Sequence, residues 1–278
     1  MKGYIKHMET NEKLYHFCSM DAFRSIIENK AMRFTDARKM KDTLEIQYGA
    51  QAGIDACVNS WYKAGVIGFM GVERSAKIIF ISCFSKDSED SPYLWGNREI
   101  RLEFDRKKVE EWIKTLHGKC EDIAYYTGDE LKSYMQKQYN DKQNTNTPDY
   151  VAHTLEESLF IKRKDLYEKE NETRCAFEIT TPICEYFPCE VPIFDEHDYI
   201  TKSIKIHACQ KNLYPLVLYC DIPFPKEMLT GVTIHNESNL TLPACKEFLA
   251  FNGFYDTTIR FEKLGMPNEY RTDEVDEQ

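Results

Sequence analysis

No run of about 18 apolar residues occurs in this 278-residue chain, so no membrane-spanning helix is expected. The N-terminus, Met-Lys-Gly-Tyr-Ile-Lys-His-Met-Glu-Thr, lacks the apolar core of a leader, which makes the cytoplasm the expected location. Positive charge is in deficit. The 36 Lys and Arg face 46 Asp and Glu, a formal charge of -10. That excludes general attraction to nucleic acid, and any such contact needs a local basic patch. The 10 cysteines contain no Cys-x-x-Cys; the closest pair is Cys184 and Cys189. None of the 7 histidines lies three to five residues from another. A structural zinc needs two close ligand pairs, so no metal is expected. Cys57, Cys83, Cys175 and Cys220 sit in apolar stretches, where free cysteine behaves as a small hydrophobe. Gly65, Gly68 and Gly71 are not followed by Lys-Ser/Thr, which argues against a phosphate loop. No Gly-x-Ser-x-Gly elbow is present, so serine hydrolase chemistry has no support.

What is present favours strands and pockets. Apolar residues make up 42% and aromatics 13%, with 17 Tyr and 16 Phe. Leu14 to Cys18 reads as a short buried strand. Ser19 then caps a helix carrying Phe23, Ile26 and Ile27, which ends near Asn29-Lys30. Ala31 to Phe34 reads as a second strand, and Asp42 to Tyr62 as a long helix. Lys77 to Phe84 is apolar on both faces, which predicts a central strand. Arg98 to Phe104 is another strand. Asp105 then caps a helix with Val109, Trp112, Ile113 and Leu116 on one face. Ile123 to Tyr126 is a weak strand, followed by helices over Gly128 to Tyr139 and Tyr150 to Phe160. Beyond Ile179 a Pro-rich segment (Pro182, Pro188, Pro192) reads as irregular. Strands at Ile200 to Cys209, Leu213 to Cys220 and Gly231 to Ile234 follow, then a helix over Pro243 to Phe251 and a strand over Thr257 to Phe261. No regular βαβ rhythm and no internal repeat occur. The expected class is α+β: a single domain over 13–265, with a mixed, mostly antiparallel sheet core flanked by helices. A flexible N-terminus (1–12) and an acidic tail (266–278) complete the expected organisation.

The stretch from Glu168 to Ile179 is the most informative. Read with period 2, Thr173, Cys175, Phe177 and Ile179 fall on one side. Glu168, Glu170, Glu172 and Arg174 fall on the other. Same-face neighbours on a strand lie roughly 7 Å apart. Two carboxylates at that spacing resist ionising together, while an arginine pulls the other way. Such a group binds a sugar hydroxyl, stabilises an oxocarbenium ion or moves a proton. The plainer reading is a wet strand edge with an ion pair.

Other marked residues also carry two readings. His16, between Tyr15 and Phe17, is either a satisfied core histidine or a ligand holder. Ser82 and Ser85 end the central strand, where serines also simply turn a chain. Asp42 and Glu45 lie one helical turn apart at a helix start, ordinary for capping and dipole chemistry or turned into a cleft. Trp95 follows a polar loop as a stacking residue or as core. Lys162-Arg163-Lys164 is a compact basic cluster, able to meet a phosphate or to form a solvated turn.

In this order these pieces resemble a bacterial family, the domain of unknown function 2971. The resemblance runs through Tyr15-His16-Phe17, Ser25-Ile26-Ile27-Glu28-Asn29, Met32-Arg33-Phe34-Thr35-Asp36, and Asp42 with Glu45. It continues through Ile81 to Ser85, Leu94-Trp95, Lys162, and Glu170, Glu172 and Arg174. It covers roughly Leu14 to Arg271, with the middle helices loosest. Gly96-Asn97-Arg98-Glu99-Ile100 after Trp95 lacks the family's usual tyrosine. The family resembles ADP-ribosyltransferase-like folds. That resemblance implies NAD as substrate, held by Tyr15, His16, Ser82, Ser85, Trp95, Lys162 and Arg174. Glu172 would steady the oxocarbenium-like transition state, with Glu170 as companion acid and His16 beside them.

Three functions are therefore expected in competition. The first is an NAD-dependent ADP-ribosyltransferase modifying a protein or nucleic acid, of the kind found among toxins and phage-defence effectors. The second is a non-catalytic nucleotide or nucleic-acid binding module using Lys162, Arg163, Lys164 and a stacking Trp95. The third is an N-glycoside or NAD hydrolase that uses the same carboxylates with water as acceptor.

Overall fold

The longest alternating stretches become strands and the amphipathic ones become helices in the computed structural model. It describes residues 12–37, 43–56, 77–86, 92–96, 98–143, 157–180, 189–194, 200–209, 217–235 and 238–262. In chain order the elements are β1 (Lys13–Cys18), α1 (Met20–Asn29), β2 (Ala31–Asp36), α2 (Thr43–Ala56), β3 (Lys77–Ser85) and α3 (Pro92–Trp95). Then come β4 (Ile100–Asp105), α4 (Arg106–Lys114), β5 (Lys119–Asp122), β6 (Ala124–Tyr126), α5 (Gly128–Gln143), β7 (Ile161–Arg163) and α6 (Lys164–Tyr167). A 3-10 turn over Glu168–Glu170 precedes β8 (Glu172–Thr180). The chain continues with β9 (Cys189–Phe194), β10 (Ile200–Cys209), β11 (Val217–Pro223), β12 (Leu229–His235), α7 (Leu242–Phe251) and β13 (Thr258–Glu262). The class is α+β with a mixed, mostly antiparallel sheet.

Two compact units organise these elements. One draws on Met1–Lys30, Lys86–Trp112 and Phe224–Gln278; the other on Ala31–Ser85 and Ile113–Pro223. In the first, β1 pairs antiparallel with β4, β4 with β12, and β12 runs parallel to β13. Helix α7 makes the crossover a parallel pair requires, and Thr241 caps its start by accepting from the Ala244 N–H at 3.4 Å. Ser19 caps α1 in the same way, accepting from the Ala22 N–H at 3.3 Å, and Lys30 closes the helix in the left-handed region. Asp105 accepts from the Lys108 N–H at 3.1 Å at the start of α4.

In the second unit seven strands are paired antiparallel throughout, in the order β5, β8, β3, β2, β11, β10, β9. β3 is interior, flanked by β2 and β8, as its two apolar faces require. One face of β8 buries Cys175, Phe177 and Ile179. Phe177 stacks on Phe80 at 5.8 Å and meets Phe34 edge-on at 5.1 Å. Burying each such ring contributes about 1.5–3 kcal/mol. The opposite face, at Ile81 and Ala176, is covered by Ile123, Leu159 and Phe160. A layer of α2, α5 and β7 lies there, with its own core of Ala56, Leu131, Met135, Tyr139 and Ile161. β6 and β7 pair parallel within it.

Three strands were not legible. β5 and β7 are too short to show alternation. β9 lies in the segment that reads as irregular because of Pro192. Pro192 sits at the end of the strand order, where a missing N–H costs least. The predicted helix over Asp42 to Tyr62 is seen as Thr43–Ala56; Gly65, Gly68 and Gly71 lie outside the described residues, as do the N-terminus up to residue 11 and the acidic tail. Among the described residues no helix is long and apolar enough to cross a membrane.

Candidate active site around Glu172

Glu172 opens β8, and its position follows from the turn before it. Contrary to the strand reading, Glu168–Glu170 form a 3-10 turn, closed by Asn171 at φ 40. Asparagine is among the few residues that visit that region readily. The alternation therefore begins at Glu172, and Glu168 and Glu170 are not strand neighbours of it. Antiparallel register sets Ser85 opposite Glu172, Cys83 opposite Arg174 and Ser82 opposite Cys175. Directly opposed residues share a face, and successive residues alternate. Ser85, Cys83, Glu172 and Arg174 thus lie on one face, and Ser82 on the other. The structure brings Ser85 to the acidic cluster and separates Ser82 from it by the thickness of the sheet.

The charged face is not a wet edge. Arg174 is 0% exposed, Lys162 3% and Glu172 5%. Arg174 Nε and Nη2 both donate to Glu172 Oε1 at 2.9 Å. Its Nη1 donates to the Leu159 carbonyl at 2.6 Å. Lys162 reaches from β7, its Nζ 2.5 Å from Glu172 Oε2 and 2.5 Å from Glu170 Oε2. The Glu172 N–H donates to the Tyr125 hydroxyl at 2.8 Å, and its carbonyl accepts from the Ile123 N–H at 2.9 Å. Ser85 Oγ donates to the Glu170 carbonyl at 2.9 Å, which ties the end of β3 to the turn before β8.

Burial pushes the Glu172 carboxyl up, but the charges of Arg174 and Lys162 outweigh it. With hydrogen bonds from Cys83 and Lys162 they hold it down at about 2. It stays a carboxylate across the neutral range. Burial and the Glu172 charge push the Cys83 thiol up, so Cys83 stays protonated and donates. Burial raises Tyr125 as well, which keeps its hydroxyl neutral.

The basic triplet does not act as one patch. Lys162 turns inward, Arg163 pairs with Asp165 at 2.6 Å, and Lys164 lies 3.7 Å from Glu168. Tyr15, His16 and Trp95 belong to the other unit. His16 is half-buried on β1, opposite Leu102. Trp95 is buried, edge-on to Phe17 at 5.1 Å and tilted on His235 at 4.9 Å. It is core rather than an open stacking surface, and its Nε1 has no hydrogen-bond partner among the described residues. Asp42 and the side chain of Glu45 lie outside the described residues. Among the described residues no three His, Cys, Asp or Glu side chains gather as metal ligands.

Sequence reading missed two features. Cys83 and Tyr125 join the Glu172 cluster; the period-2 pattern of β3 already placed Cys83 beside Ser85, whereas Tyr125 comes from a strand paired through the far layer. A second buried polar set lies on β4 and β12. Arg101 packs over Tyr15 at 5.3 Å and donates to Thr233 Oγ1 at 3.2 Å. Glu103 takes Lys13 at 2.5 Å, Arg260 at 2.9 Å and the Thr230 hydroxyl at 3.0 Å. The Arg-x-Glu alternation in β4 carries the signal, but alone it reads as a solvated face.

No family model matches the chain, and no curated protein or solved structure matches it significantly.

Proposed function

We propose that this protein cleaves the nicotinamide N-glycosidic bond of NAD and transfers ADP-ribose to a macromolecular acceptor. The observation that carries this reading is the buried Glu172 carboxylate, fixed between Lys162 and Arg174 with Glu170 on the same lysine. A carboxylate that stays charged cannot serve as an acid at neutral pH. It serves as a fixed negative charge, and a fixed charge placed where positive charge develops lowers a barrier without reorganising. Departure of nicotinamide leaves an oxocarbenium-like cation, the species such a charge steadies. Glu170, less buried than Glu172 and paired with the same lysine, is suited to orient or deprotonate the acceptor. The assignments of Tyr15, His16, Ser85 and Trp95 to NAD rest on the family resemblance. Ser82, on the opposite sheet face from Glu172, and Trp95, buried as core, are the weakest of these assignments.

A second reading is favoured by the saturation of the same group. Both Glu172 oxygens already meet cations, as in a structural clamp. Nicotinamide release from NAD, with and without cell lysate, separates the readings. Release that requires lysate and labels an acceptor supports the transferase. Release without lysate, yielding free ADP-ribose, identifies a glycohydrolase. A folded wild type that releases none under either condition leaves the clamp and removes NAD from the assignment.

A further inference from the structure

We propose that Cys120 and Cys175 form a reversible cross-strand disulfide, making this strand pair an oxidation site. The two residues are direct register partners in the antiparallel β5–β8 pair. Such partners have Cα atoms about 4.5–5.5 Å apart, inside the span a disulfide bridges. Their sulfurs are 3.0 Å apart, with the Cys175 thiol directed at Cys120. About 1 Å of sulfur movement reaches bonding distance, with no change of register. Gly118 holds β5 in place: a Cβ there would meet the Ala176 carbonyl oxygen at 2.5 Å. The Asp122–Thr173 hydrogen bond of 2.7 Å pins the far end of the pair.

Exposure orders the chemistry. Cys120 is half-buried and Cys175 fully buried. With hydrogen peroxide as oxidant, the Cys120 sulfur attacks one peroxide oxygen, giving a sulfenic acid and water. The Cys175 sulfur then displaces the hydroxyl as a second water and forms the S–S bond. Two thiols lose two protons and two electrons, and peroxide becomes two waters. A dithiol reductant reverses the step. The bond would lie on the opposite face of β8 from Glu172, one residue from Arg174, and it does not depend on the NAD reading.

Treating the full chain with hydrogen peroxide, blocking residual thiols with N-ethylmaleimide and mapping peptides without reduction tests this. The expected result is a Cys120–Cys175 linked peptide, loss of 2 of the 10 titratable thiols, recovery of both with dithiothreitol, and a thermal midpoint that rises on oxidation. Cys120→Ser, checked for folding by circular dichroism, should lose the link and the rise together. Cys120 and Cys175 both recovered as maleimide adducts, or either linked to another cysteine, would overturn the proposal.

Discussion

Lys162 is the residue on which the charged face most depends, because its buried ammonium joins the carboxylates of Glu170 and Glu172. Removing one partner of a buried ion pair leaves an uncompensated charge. Lys162→Met is expected to lower stability by about 3–5 kcal/mol, read from urea unfolding. Adding Glu172→Gln to it should cost far less than Glu172→Gln alone, since the two changes share one interaction. Strict additivity would mean that the pair is not coupled. The same logic changes what a Glu172→Gln activity assay means. The amide weakens the hold on Arg174 and Lys162, so turnover has to be measured below that variant's own unfolding transition. Glu170→Gln, at a less buried carboxylate, is the gentler probe. It should reduce acceptor labelling more than nicotinamide release, whereas equal loss of both would place Glu170 in the cleavage step.

Strand and helix positions were legible wherever one period ran long enough. β3, β8, α1, α4 and α7 all follow from alternation, caps and apolar stripes visible in the residues themselves. β5, β7 and β9 were not, because three to six residues without strong alternation take their state from the partner strand. The split of the charged stretch was half legible. Alternation correctly divided Glu172 and Arg174 from Cys175 and Phe177, but it could not reveal the turn through Asn171 or the layer that covers the charged side. Gly118 illustrates how tightly that arrangement is fixed. Gly118→Val is expected to destabilise by about 1–3 kcal/mol through overpacking against the Ala176 carbonyl and Ile113. Gly128→Ala, where nothing lies within 4 Å, is the matched control and should be close to neutral in the same thermal melts.

At the scale of the molecule, the buried carboxylates of Glu172 and Glu103 shape the response to acid. Burial raises Glu172 and Glu103, but Arg174 and Lys162 in one case, and Lys13 in the other, bring both below the ordinary range. A carboxyl depressed in the folded state contributes stability that is present above its unfolded value near 4.5 and is lost as pH falls through the folded value. Unfolding free energy should therefore fall between about pH 5 and pH 2. The fall should be shallower in Glu172→Gln, which no longer titrates there. The proposed chemistry and the acid response share one requirement, that Glu172 remains ionised inside the fold. Carbon-13 NMR of the glutamate carboxyl carbons, with Glu172 assigned by its loss in Glu172→Gln, measures this directly. A Glu172 signal unchanged from neutral pH down to about pH 4 is the expected result. A midpoint at or above the ordinary glutamate value would contradict it, showing that burial outweighs Arg174 and Lys162 and that the fixed charge does not exist.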